Sequence, residues 1–183
     1  MILATLFLAS CESDYSKKIK SELESGDSYE NLFLDLNVGD TKKDFYDKCW
    51  LWNKKGLVSQ GPGNQYAKYN LDLSEGKDSL GNVELLFYGI FDDNDVMYGM
   101  DMKMSYKAWS LWNEKYHATS LVNDLQEYYI KLYGKNKFIP ITIEKEVTAY
   151  AKIDGNRQIL IYPINKKDVA VKITDTKKQY DIK

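Results

Sequence analysis

The stretch Val83-Glu84-Leu85-Leu86-Phe87-Tyr88-Gly89-Ile90-Phe91, followed by Asp92-Asp93-Asn94-Asp95 and then Val96 to Met104, decides the fold. Two runs rich in β-branched, aromatic and long apolar side chains flank a four-residue polar turn, the pattern of an antiparallel hairpin. In the second run Val96, Tyr98, Met100, Met102 and Met104 recur at period two and are expected to share one apolar face. Upstream, Gln65 to Leu73 reads as a third strand, with Ala67, Tyr69, Leu71 and Leu73 alternating against Tyr66, Lys68, Asn70 and Asp72. Gly61-Pro62-Gly63-Asn64 turns into that strand, and the polar run Ser74 to Asn82 loops out of it.

A helix precedes these strands. Asn37-Val38-Gly39-Asp40 punctuates the chain, Thr41 can cap, and Asp44 suits the positive end of the helix dipole. Phe45, Cys49 and Trp52 then recur at i, i+4 and i+7, and Gly56 supplies a stop. Downstream, Tyr106 to Tyr116 fits no single element. Leu121, Val122, Leu125, Tyr128, Tyr129 and Leu132 mark a long amphipathic helix ending at Gly134. Val147 to Ile153, Gln158 to Pro163 and Val169 to Thr174 read as three further strands, the first two joined by a hairpin turn at Asp154-Gly155.

The order is therefore α-β-β-β followed by α-β-β-β, an α+β chain of two helix-plus-antiparallel-meander repeats over about 31–105 and 106–183. Local likeness supports a duplication. Tyr66-Ala67-Lys68-Tyr69 pairs with Tyr150-Ala151-Lys152-Ile153, Gly81-Asn82 with Gly155-Asn156, and Asp95-Val96 with Asp168-Val169. A helix and meander used twice resembles the tandem repeat of the β-lactamase inhibitor protein fold. The run Val38-Gly39-Asp40-Thr41-Lys42 is also similar to the Gly-x-Thr-Lys lead-in of small SmpA/BamE-type outer-membrane lipoproteins. These resemblances imply a noncatalytic, protein-binding envelope module and bring no catalytic residues.

Residues 1–10 carry no charge and end in Leu8-Ala9-Ser10, directly before Cys11. That step resembles the lipobox of bacterial lipoproteins, which implies cleavage before Cys11 and acylation of its thiol. Acyl chains bury at about 0.8 kcal/mol per methylene, so two or three of them anchor a protein stably. No Lys or Arg precedes Cys11, and the apolar stretch is near the minimum for a signal peptide, so the natural start is expected upstream of Met1. The competing reading is a short buried or frayed N-terminal segment. Residues 11–30 are polar and read as a solvated tether that can include a helical turn, leaving 31–183 as a single domain. Glu12 and Asp14 resemble the acidic positions after the acylated cysteine in Bacteroidetes-type surface lipoproteins.

Composition narrows the function classes. The 25 basic and 27 acidic residues give a net charge of −2, and Arg157 is the only arginine, so nucleic-acid recognition lacks its best side chain. No apolar run reaches the roughly 18 residues of a spanning helix. With Cys11 acylated, Cys49 stands alone and is read as a small buried hydrophobe.

No cofactor, metal or catalytic set is assigned. His117 is the one histidine, has no nucleophile signature beside it and reads as a surface or helix-start residue. Read as an EF-hand from Asp92, the loop places Met97 at the glycine position and Lys103 at the bidentate glutamate, so a hairpin turn is the better reading. Gly56 to Gly61 has phosphate-loop spacing but meets Pro62 and Gly63 where Lys and Ser/Thr are needed. Paired carboxylates for glycoside cleavage converge in space, and no pair stands out in the chain.

The remaining signal is aromatic: 15 Tyr, 6 Phe and 4 Trp. Phe45, Trp52, Tyr69, Phe87 and Tyr128 lie on apolar faces and are expected in the core. Trp50 is rotated by about 160° from Trp52 on one helix, so the two are not equally buried. Trp109 and Trp112, with Tyr106 and Tyr116, crowd one segment. Trp50, Trp109, Trp112 and Tyr116 are the candidate contact residues, since rigid amphipathic rings give area at low entropy cost. The expectation is a cell-envelope protein, lipid-anchored to the outer membrane through Cys11 and facing the periplasm or the cell surface, that binds a protein partner without catalysis. The alternative is a surface lipoprotein that binds or hydrolyses a glycan through its aromatic cluster.

Overall fold

The computed structural model describes residues 13–73, 82–143 and 147–179, and shows an α+β fold built on one large antiparallel sheet. The lipobox step and the Ser74–Gly81 part of the expected loop lie outside the described residues. The elements run α1 (Asp14–Glu24), β1 (Asn31–Phe33), β2 (Leu36–Asn37), α2 (Lys42–Lys54), β3 (Val58–Gln60), β4 (Ala67–Asp72), β5 (Asn82–Phe91), β6 (Met97–Tyr106), α3 (Ala118–Tyr133), β7 (Ile139–Thr142), β8 (Thr148–Asp154), β9 (Arg157–Pro163), β10 (Val169–Asp175) and α4 (Thr176–Gln179).

The sheet has eight strands in the order β3-β4-β5-β6-β10-β9-β8-β7, every neighbour antiparallel, with β1 and β2 forming a separate hairpin. Each long helix is followed by four strands rather than three. The additional ones, β3 and β7, are the two sheet edges. The pair Tyr66–Tyr69 and Tyr150–Ile153 falls on β4 and β8, while Asn82 and Asn156 mark the starts of β5 and β9 and Val96 and Val169 those of β6 and β10, strands in equivalent places on either side of the β6–β10 contact.

Local chemistry explains α2. The Thr41 hydroxyl accepts from the Asp44 amide and the Asp44 carboxylate accepts from the Thr41 amide, a complete capping box. The helix buries Phe45 and Trp52, and the next turn leaves Trp50 exposed at 58 % against 9 % for Trp52. Gly134 ends α3 with φ 62°.

The main core lies between one sheet face and α2, α3 and the β1–β2 hairpin. Leu85 and Phe87 of β5, Met100, Met102 and Met104 of β6, Ile159 and Ile161 of β9, and Val171 and Ile173 of β10 meet Leu36, Phe45, Leu121 and Leu125. The expected face of β6 is corrected at its start. Ile90 pairs with Gly99 but Phe91 pairs with Met97, a bulge that turns Met97 into the core and Tyr98 outward. Gly99 is required nearby, because a Cβ there would come within 2.6 Å of the Ile173 carbonyl oxygen.

The expected tether is also different. From Asp14 the chain is helical, and Tyr15, Lys18, Ile19, Glu22 and Leu23 form a stripe at i, i+3, i+4, i+7 and i+8 that packs on β8, on the sheet face away from the main core. The Tyr15 hydroxyl donates to Gln158 at 2.5 Å, and Ile19 and Glu22 are buried. Glu22 accepts from the Gly155 amide (2.9 Å), Asn136 (2.9 Å) and Lys18 (2.8 Å), which fastens α1 to the β8–β9 turn.

Beneath that turn is a buried ionic cluster. Lys152 donates to the Gly134 carbonyl at the end of α3 and to Asp154. Asp154 also faces Arg157, whose guanidinium stacks between the rings of Tyr133 and Tyr29, 3.7 and 4.6 Å from their centroids. All three ionic side chains are buried, so each charge relies on its partners instead of water.

Candidate binding groove

The last turns of α2 and the β3–β4 edge leave a groove of about 690 Å³ between them. The helix contributes Tyr46, Asp47, Trp50 and Asn53 at i, i+1, i+4 and i+7, a face that adjoins its buried stripe, with Phe45 and Cys49 at the boundary. The β3–β4 connection contributes Gln60, Gln65 and Tyr66, and β5 supplies Tyr88. Gly63, with φ 70°, makes the tight turn that returns the chain from β3 to β4.

The groove is ordered from within. The Asn53 amide donates to the Val58 carbonyl at 3.1 Å, tying the end of the helix to the edge strand. The hydroxyls of Tyr46 and Tyr88 lie 3.1 Å apart; this hydrogen bond, with burial, raises the Tyr88 phenol to about 12. The Tyr88 ring packs edge-on against Phe45, 5.3 Å between centroids. The Lys54 ammonium sits 3.8 Å above the Trp50 ring. Cys49 lines the groove half-buried, and burial pushes its thiol up to about 12. That thiol stays protonated at neutral pH, and no imidazole lines the groove to draw its proton.

The lining therefore offers rings, carboxamides, hydroxyls and one carboxylate, Asp47, which is paired with Lys43. These are recognition groups, and the volume is in the range of small-ligand and peptide-segment sites. Among the described residues no three His, Cys, Asp or Glu side chains converge as metal ligands.

Of the four candidate residues, only Trp50 lines this groove. Trp109 is half-buried beside His117, and its buried indole N–H has no hydrogen-bond partner among the described residues. Tyr116 is buried edge-on against Tyr106 and presents no ring to a partner. Trp112 stands 89 % exposed in the β6–α3 connection. His117 is the N-cap residue of α3, and its ring makes no capping hydrogen bond but lies with Nε2 3.1 Å from the Ser110 carbonyl of the preceding connection. Tyr46 lies one turn before Trp50 on α2, whereas Tyr66, before β4, and Tyr88, on β5, join them only through the fold. Their sequence signal is partial: Tyr46 shares the exposed helical face of Trp50, and Tyr66 and Tyr88 were assigned to strands without a site. Comparison with protein-family models, with curated proteins and with solved structures finds no match to this chain.

Proposed function

We propose that this chain is a noncatalytic binding module of the cell envelope, anchored by a lipid on Cys11, and that the α2/β3–β4 groove holds its protein partner. The observation that carries the reading is the convergence of Tyr46, Trp50, Tyr66 and Tyr88 on one open groove beside an edge strand. Aromatic anchors of this kind concentrate binding energy, and the edge position suits an extended segment of a partner. The same reading takes the two helix-and-meander halves as a duplicated unit, an idea supported by their mirrored places in the sheet.

The test is a pull-down from solubilised envelope with the parent chain and with a Tyr46→Ala/Trp50→Ala variant, both side chains being exposed. A partner retained by the parent and lost from the variant supports the groove. Equal recovery refutes it. Anchoring is tested separately by intact mass: an acyl increment that disappears in Cys11→Ala is expected, and an unmodified cysteine overturns that half of the proposal.

A glycan is the second reading, favoured by the rings lying among Asn53, Gln60 and Gln65, which suit sugar faces and hydroxyls. A glycan array that is blank for the parent chain removes it.

A further inference from the structure

Leu111 and Trp112 occupy the two central positions of a turn closed by the Asn113 amide donating to the Ser110 carbonyl at 3.3 Å. Central turn positions are normally Gly, Pro, Asn, Asp or Ser. Here they are 52 % and 89 % exposed and apolar. A second turn lies alongside, between β9 and β10, with Ile164 also 52 % exposed. The two are joined: the Ala118 amide donates to the Lys166 carbonyl at 2.9 Å, and the Lys167 ammonium lies 5.8 Å from the Trp109 ring centroid. Asn165 caps the second turn through the Lys167 and Asp168 amides at 2.7 and 2.8 Å. Both turns are thus held by hydrogen bonds and present three apolar side chains at one end of the sheet.

Charge surrounds that tip. Lys107, Lys115, Lys166 and Lys167 are exposed, and among the described residues none is ion-paired. The carboxylates on the same two segments are Glu114 and Asp168, and Asp168 is engaged by Lys103 at 3.4 Å. We propose that this tip is a docking site for an anionic phospholipid surface, with Leu111, Trp112 and Ile164 entering the interfacial layer and the four lysines facing the headgroups.

Three side chains on two adjacent turns offer far less than the ~800 Å² per partner of a stable protein interface. A bilayer interface needs no complementary shape, accepts indole rings at headgroup level and is attracted by clustered lysines. The tip lies at the end of β9 opposite the β8–β9 turn that fastens α1. Its contact is tested without an acyl chain on Cys11.

The experiment is co-sedimentation of the full chain carrying Cys11→Ala with vesicles of phosphatidylglycerol and phosphatidylethanolamine, or of phosphatidylcholine alone. The expected result is binding to the anionic vesicles, weakened at least tenfold in Leu111→Ser/Trp112→Ser and in Lys166→Gln/Lys167→Gln, with little binding to phosphatidylcholine. All four substituted side chains are exposed, and circular dichroism verifies the fold. No binding to anionic vesicles overturns the proposal. So does undiminished binding of Leu111→Ser/Trp112→Ser, which would place the contact elsewhere, or equal binding to both vesicle types, which would remove the role of charge.

Discussion

Replacing Glu22 by Gln tests how α1 is held. Burial alone would raise this carboxyl, but hydrogen bonds from Lys18, the Gly155 amide and Asn136, with the Lys18 charge, outweigh it and bring it from 4.5 down to about 2. A carboxyl depressed by folding stabilises the native state fully above its unfolded value, and that contribution is lost as pH falls toward the folded value. A difference of about 2.5 units corresponds to about 3.4 kcal/mol at pH 7, falling to about 1.4 kcal/mol at pH 3. Glutamine keeps the shape and cannot ionise, so it imitates the protonated carboxyl at every pH. Urea unfolding of parent and variant should therefore differ by about 3 kcal/mol at pH 7 and by less than half of that at pH 3. Other carboxylates titrate equally in both proteins and cancel. If α1 detaches on its own, the loss is read instead as faster exchange of the Gly155 amide. A variant that unfolds within about 0.5 kcal/mol of the parent at pH 7, with unchanged exchange, would refute the reasoning. A deficit that is the same at both pH values would show a packing effect rather than an ionic one.

Other outcomes follow from the same structure. In Cys11→Ala protein, Cys49 should resist a thiol reagent at pH 8 and react promptly in urea, because burial keeps its thiol protonated up to about 12; rapid native labelling contradicts this. Gly155→Ala should destabilise the fold and loosen the segment after α1, since the residue has φ 53° and a Cβ there would collide with the Asp27 carbonyl; a melting temperature within a degree of the parent would show that the segment docks some other way. Leu125→Ala removes a fully buried core side chain and should cost about 2–5 kcal/mol in denaturant unfolding.

Much of the fold was legible because its strongest elements are periodic and capped. Thr41 and Asp44 marked the start of α2, and β4, β5, β8, β9 and β10 showed alternation or turn residues close to their observed ends. The elements that escaped notice have physical reasons. The edge strands β3 and β7 have three and four residues, and β7 contains Pro140, tolerable only at an edge. In α1 the apolar stripe is only Tyr15, Ile19 and Leu23 among charged residues, and Glu22 ties it to the distant β8–β9 turn. The bulge that turns Met97 inward is a property of strand pairing, which alternation within one strand cannot reveal.

The candidate site was legible only in part. Trp50 was recognisable from its rotation relative to Trp52. Tyr46 shares its helix face four residues earlier, whereas Tyr66 and Tyr88 are brought to it by tertiary packing. The Lys152–Asp154–Arg157 cluster gave no signal, because alternating charged residues on a strand read as solvent-facing unless the helix covering them is known.

The most direct test of the binding groove is a photo-crosslinking amino acid placed at position 50 of the full chain in intact cells, with the same label at exposed Asn70 as control. The account predicts a discrete protein-sized adduct from position 50 that is absent from position 70 and is abolished by Tyr46→Ala. Adducts that are equal at the two positions, or indifferent to Tyr46→Ala, would contradict it.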